Sequence, residues 1–201
     1  MMRRPSNNST PFSLLLLAVL TSACGAATPE PVGPKGPLRA TDLFPMTLGT
    51  VWSYDVDAGE AAPVLAISRV TRAEQGRVEI TSGSAIHPYE IRDEGIWRPG
   101  SETWLLRDPL SVGSTWPSQA GLSARVEAVA ISMETALGPA EGCVRVEEKD
   151  ADNVRSIRTT YCPDLGPVLV ESTMNLDVSG ETARVSAKLR GFSDGQSGEF
   201  R

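Results

Sequence analysis

This 201-residue sequence predicts an all-β fold, a single antiparallel domain curled into a meander, half-barrel or flattened barrel. Three observations carry that expectation. Apolar and polar residues alternate with period two in several short segments, turn clusters rich in Gly, Asp and Glu separate those segments, and no stretch of useful length holds a helical period. Alternation with one polar face describes a sheet that packs one side and wets the other. Such a sheet must curl on itself to close a core.

The chain opens with Arg3 and Arg4, the apolar run Phe12 to Leu20, and then Thr21-Ser22-Ala23-Cys24. A basic segment, a short hydrophobic segment and small residues before a cysteine make a secretory signal over residues 1–23. The apolar run is about half the length a bilayer span requires, which weighs against an uncleaved transmembrane anchor. The residues before Cys24 resemble the bacterial lipobox. That resemblance implies that Cys24 becomes the first mature residue, with diacylglycerol on its sulfur and a third acyl chain on its amine. By the same resemblance, Gly25 in place of Asp points to the outer membrane, with the domain facing the periplasm.

Removing residues 1–23 takes away two arginines and no acidic side chain. The mature chain then carries 17 basic and 25 acidic residues, a net charge of about −8. An acidic surface disfavours headgroup binding through a basic patch and disfavours a nucleic-acid partner. Attachment to the membrane therefore falls to acylated Cys24, and two or more buried chains suffice for it. Residues 24–40, with Pro29, Pro31, Pro34 and Pro37, read as a tether that can neither form a helix nor bury a core. The β domain follows at 41–192, and 193–201 read as a loose polar tail.

Within the domain, alternating segments run Trp52 to Val56, Arg77 to Thr81, Arg125 to Met133 and Ala183 to Leu189. Turn clusters lie at Asp57 to Glu60, Glu74 to Gly76, Asp93 to Gly95 and Ser179 to Glu181. One internal echo stands out. Pro45, Leu48, Gly49 and Trp52 are matched in spacing by Pro109, Val112, Gly113 and Trp116. Pro blocks pairing, Gly permits a turn, and Trp enters a strand and covers the core. Duplication of a half-domain and convergent use of one strand-opening turn both account for it.

The segment Asp42-Leu43-Phe44-Pro45-Met46-Thr47-Leu48-Gly49-Thr50-Val51-Trp52-Ser53-Tyr54 resembles the opening of a broad group of poorly characterised bacterial lipoproteins with a Phe-Pro-Leu-x-x-Gly-x-x-Trp-x-Tyr pattern. Gly138 to Val146 and Tyr161 to Val168 are similar to later turn-and-strand pieces of that group. The resemblance implies a β domain over most of 42–190 and brings no activity with it.

With Cys24 lipidated, Cys143 and Cys162 remain as an even pair in an oxidising compartment. If Asp152-Asn153 form a two-residue turn, residues whose numbers sum to 305 face each other across a hairpin. Cys143 then lies opposite Cys162, Glu147 opposite Arg158 and Asp150 opposite Arg155. Val144, Val146, Ile157 and Tyr161 share the other face. Charge, apolar segregation and cysteine pairing agree on one register, which predicts a cross-strand disulfide closing a loop of about twenty residues.

The residues offer no catalytic set, no metal site and no cofactor site. His87 is the single histidine and reads as a solvent-edge strand residue, and no Gly-x-Ser-x-Gly elbow is present. Asp150-Ala151-Asp152-Asn153 begins like a calcium loop, but Val154 and Arg155 break the pattern. Glu147-Glu148 and Asp93-Glu94 read as solvated faces. Trp97 and Trp104 flank a turn at Arg98-Pro99-Gly100, where core packing or edge cover is set against a rim for sugars or peptides. The expectation is a lipid-anchored, non-enzymatic interaction or assembly module whose partner is another envelope protein. The alternative is a carrier whose curved sheet holds an apolar ligand such as a lipid.

Overall fold

The computed structural model describes residues 36–60, 62–176 and 181–201, which belong to one unit, Gly36–Arg201. The signal, Cys24, the tether as far as Lys35 and Ser179-Gly180 of the expected turn lie outside the described residues.

A four-residue helix, α1 (Ala40–Leu43), precedes twelve strands. The first six are β1 (Val51–Asp57), β2 (Val64–Glu74), β3 (Arg77–Ser82), β4 (Ala85–Arg92), β5 (Gly95–Arg98) and β6 (Thr103–Arg107). They are followed by β7 (Thr115–Pro117), β8 (Ser123–Thr135), β9 (Gly138–Lys149), β10 (Arg155–Cys162), β11 (Gly166–Leu176) and β12 (Glu181–Ser193). All twelve form one antiparallel sheet in which each strand pairs its chain neighbour, except that β12 returns to pair with β1 over Val51↔Ser193 to Asp57↔Ser186. Among the described residues, β6 and β7 are consecutive strands that do not pair and form the two edges of the sheet. The expected curled meander is therefore a nearly closed barrel whose seam falls in the middle of the chain.

Alternation decides what faces inward. Trp52 and Tyr54 on β1, Val70 on β2, Val78 and Ile80 on β3, and Val144 and Val146 on β9 are all buried. Phe44, just after α1, is the hub, with ring centroids 5.2 Å from Trp52, 6.1 Å from Tyr161 and 6.4 Å from Tyr89. The strands run so that α1, the β10–β11 turn and the C-terminal segment gather at one end of the barrel. There the backbone N–H of Ala40 donates to the Asp108 carboxylate (2.9 Å), Arg39 donates to the Asp93 carbonyl (2.7 Å), and Asp164 N–H donates to the Asp42 carbonyl (3.0 Å). Ala40 and Leu43 have no exposed surface, so these residues plug the end. Residues 36–40, read from sequence as the end of the tether, belong to the folded unit.

The C-terminal residues also fold back. Phe192 and Arg201 exchange two backbone hydrogen bonds of 2.8 Å, and Thr50 donates to the Asp194 carbonyl (3.1 Å). The Asp194 carboxylate accepts from the N–H groups of Ser197 and Gln196, which hold it below the usual carboxylate range. A tail that the sequence left loose is thus tied to the sheet, in part through a residue more than a hundred positions away.

The hairpin register is the expected one: Tyr161↔Val144, Arg158↔Glu147 and Ser156↔Lys149. Cys143 and Cys162 are joined and fully buried, with Cα atoms 4.1 Å apart. The turn is longer than the two residues expected. Asp150 N–H pairs with the Arg155 carbonyl, and the Asp150 carboxylate accepts from the N–H groups of Val154 and Arg155 (2.8 and 3.1 Å). Asn153 takes the left-handed conformation that its short amide tolerates. The centre of the turn is unchanged, so the register survives.

Candidate functional site

The end opposite α1 is built from turns, and one polar cluster sits just inside it. On β9, Val144 and Val146 are buried, so the pleat also turns Glu148 inward. Glu147 instead points outward and meets Arg158 at 3.2 Å. Glu148 is 4% exposed. A carboxylate so placed requires a partner, and two elements supply one each. Arg98, the last residue of β5, donates from Nη1 to Glu148 Oε1 at 3.0 Å. Ser118, between β7 and β8, donates its hydroxyl to the same oxygen and accepts from Arg98 at 3.0 Å. Arg98 also reaches the Trp104 carbonyl on β6, at 3.5 Å.

This cluster stands where strand pairing fails. Arg98 and Trp104 belong to the β5–β6 side of the seam, whereas Ser118 and Glu148 belong to the β7–β9 side. A buried ion pair thus bridges a gap that no ladder hydrogen bond closes. Three phenols lie within the same interior. Tyr54 and Tyr161 are pushed well above the ordinary tyrosine range by burial first, and then by nearby groups: Tyr161 acts on Tyr54, and Glu148 acts on Tyr161. Tyr89 is raised too, by burial and by Glu148, against the opposing pull of Arg98. All three are neutral phenols at physiological pH, able to donate a hydrogen bond.

Beside the cluster is a cavity of about 290 Å³, floored by Phe44, Trp52, Tyr54 and Ile80 and rimmed by Ser82, His87 and Gln119. A second cavity of about 190 Å³ adjoins it and shares His87, Tyr89, Arg98 and Gln119. A larger groove of about 530 Å³ lies elsewhere, lined by Asp57, Arg158, Glu171, Arg184 and the serines between them. Its charges are mixed, and Arg158 is already held by Glu127 at 2.8 Å and by Glu147. Among the described residues, no group of three or more His, Cys, Asp or Glu could hold a metal.

The residues singled out from sequence fall in different places. Cys24 lies outside the described residues. Cys143 and Cys162 form a structural cross-link on the wall, away from the mouth. His87 is exposed on β4, as expected, but its register opposite Ile80 places it at the cavity rim. Trp97 and Trp104 pack edge to face at 5.0 Å on β5 and β6, with the Arg92 guanidinium 4.3 Å above Trp97. They cover the edge strand and line neither mouth cavity. Asp93 and Glu94 are solvated as expected, but Glu148 is not. Its burial corrects the reading of Glu147-Glu148 as one solvated face, because adjacent strand residues point to opposite sides. The hairpin register already implied this, since Glu148 continues the Val144–Val146 face. The sequence placed Arg98 only in a turn between Trp97 and Trp104 and did not mark Ser118, and both meet Glu148 only across the seam.

The fold defines a class, an almost closed antiparallel barrel with a polar mouth. No family model matches the chain, and no curated protein matches it in sequence. Among solved structures, a crystal structure of a Bacteroides fragilis protein, presumed exported and of YMCC-like fold, is similar with a TM-score of 0.48. The identity is 13%, over 76% of this chain and 99% of the other.

Proposed function

We propose that this chain is a lipid-anchored envelope protein that works as a non-enzymatic binding or assembly module, its barrel mouth presented to the periplasm. Acylated Cys24 holds it to the outer membrane in this reading, and the kinship is with the bacterial lipoproteins of the Phe-Pro-Leu-x-x-Gly-x-x-Trp-x-Tyr opening, from which this chain departs by Met46 in place of Leu. The observation that carries the binding role is the interior itself. Aromatic side chains fill the plugged half, and the polar groups at the other half neutralise one another instead of activating a nucleophile. The cavity of about 290 Å³ is small. It sits at the low end of the range for small-ligand sites. The polar rim and filled floor weigh against the alternative of carrying an acyl chain.

Two measurements on the full chain, purified from envelopes in detergent, test this. The mass of the mature N-terminus should show acylation at Cys24, and Cys24→Ala should release the protein from the membrane fraction. Native mass spectrometry should show no lipid lost on denaturation. A retained acyl-chain ligand would instead put the carrier first, and an unmodified Cys24 would remove the anchor.

A further inference from the structure

The two adjoining mouth cavities share His87, Tyr89, Arg98 and Gln119 and open at the end of the barrel opposite α1. We propose that this mouth binds a neutral saccharide ring. The inference rests on reading the chain as a binding module and adds the chemical class of what is bound.

Charge is the first argument. Arg98 carries the formal positive charge on the cavity wall, and Glu148 meets it at 3.0 Å, with Ser118 completing the set. An anionic ligand that approached Arg98 would also approach the Glu148 carboxylate, and a cation at Glu148 would meet Arg98. Neither gains net attraction, so the site favours a ligand without charge.

Hydrogen-bonding capacity is the second. Ser68 and Ser82 bond each other at 3.2 Å. Each hydroxyl keeps further donor or acceptor capacity, the Gln119 amide both donates and accepts, and His87 adds two ring nitrogens. A ligand dense in hydroxyls satisfies groups of this kind, whereas an acyl chain would desolvate them without replacing their bonds to water.

The third argument is the apolar surface between those groups. Half-buried Tyr89, with Ile80 and Pro167, gives a non-polar wall beside the polar rim. A pyranose has this divided character, with hydroxyls around its edge and C–H groups on one face. The two cavities, of about 290 and 190 Å³, admit one or two such rings. The ring can come from a free sugar or from a polymeric envelope glycan.

The test is saturation-transfer difference NMR on the full detergent-purified chain, with chitobiose and maltose as free probes and cosedimentation with insoluble chitin, a neutral glycan, as the polymer probe. Transfer concentrated on the C–H face of one ring is the expected result for a free sugar. Cosedimentation without such transfer would assign the source to the polymer. His87→Ala and Gln119→Ala should each weaken binding about fivefold, the worth of one hydrogen bond, with unchanged thermal unfolding. Trp97→Leu, outside both cavities, should leave binding intact. Because Tyr89 packs against Phe44, Tyr89→Phe is used to keep the ring while removing its hydroxyl. Binding that ignores both rim variants would overturn the site. No binding to any of the three probes would overturn the ligand class, while a different retained molecule in native mass spectrometry would leave the binding-module reading standing.

Discussion

A carboxylate removed from water costs several kcal/mol unless its charge is met. Glu148 is met by the Arg98 guanidinium and the Ser118 hydroxyl together. Removing one member strands the other. Arg98→Met should therefore destabilise the protein by roughly 3–5 kcal/mol in urea unfolding. Arg98→Met combined with Glu148→Met should cost much less than the two single changes added together. Strict additivity would show that the pair is not coupled. The tyrosines give a second prediction at this scale. The folded state holds the phenols of Tyr54 and Tyr161 protonated above their ordinary value near 10. Above that pH the unfolded chain binds fewer protons than the folded one. Stability is therefore whole below about pH 10 and falls as pH rises beyond it, by up to about 1.4 kcal/mol per pH unit for each tyrosine. Tyr161→Phe should flatten that alkaline slope, and an unchanged slope would contradict the assignment. Glu148 was legible in the hairpin's alternation, but its partners were not, because Arg98 lies 50 positions from Glu148 and no pattern joins them.

At the level of elements, the two Pro-to-Trp segments use one hydrogen-bonding device. Gly49 N–H donates to the Val70 carbonyl, Val70 N–H to Thr50, and Thr50 N–H to Thr47. In the second copy Gly113 N–H donates to Val126, Val126 N–H to Ser114, and Ser114 N–H to Ser111. Gly49 and Gly113 hold φ of 86° and 90°, and Trp52 and Trp116 are both buried. Residues with a side chain adopt such a φ only under strain. The space around Gly113 is open. Gly113→Ala should therefore cost about 1 kcal/mol from conformation alone, read as a shift in the urea midpoint. The equality of the two turns was visible as spacing; their matching bonds required the fold. The β9–β10 hairpin was the most legible element, because cysteine, charge and apolar patterns converged on one register. Its disulfide joins residues 19 apart in sequence. Cys143→Ala with Cys162→Ala should lower stability by about 3 kcal/mol relative to the oxidised wild type, and reduction of the wild type should cost about the same.

For the molecule as a whole, the seam sets the expected dynamics. β1 and β12 are paired along the whole of β1, whereas β7 has three residues, ends in Pro117 and pairs only with β8. Hydrogen exchange should therefore be fastest in β6 and β7 and slowest around β1 and β12. Arg98→Met should speed exchange at the seam before it is felt elsewhere, and uniform protection would deny the cluster its bridging role. By itself the sequence determined the all-β class, the hairpin and its cysteine pair, the repeated turn and the outward lie of Glu147, because each depends on neighbours within a few residues or on one local register. Only the tertiary structure decided the closure of β1 on β12, the plug made around Ala40 and Leu43, the folded-back C-terminus and the Arg98–Ser118–Glu148 mouth. Those features join parts of the chain whose separation in sequence exceeds any local period, and burial inside a closed sheet is what gives their charges and hydroxyls a reason to meet.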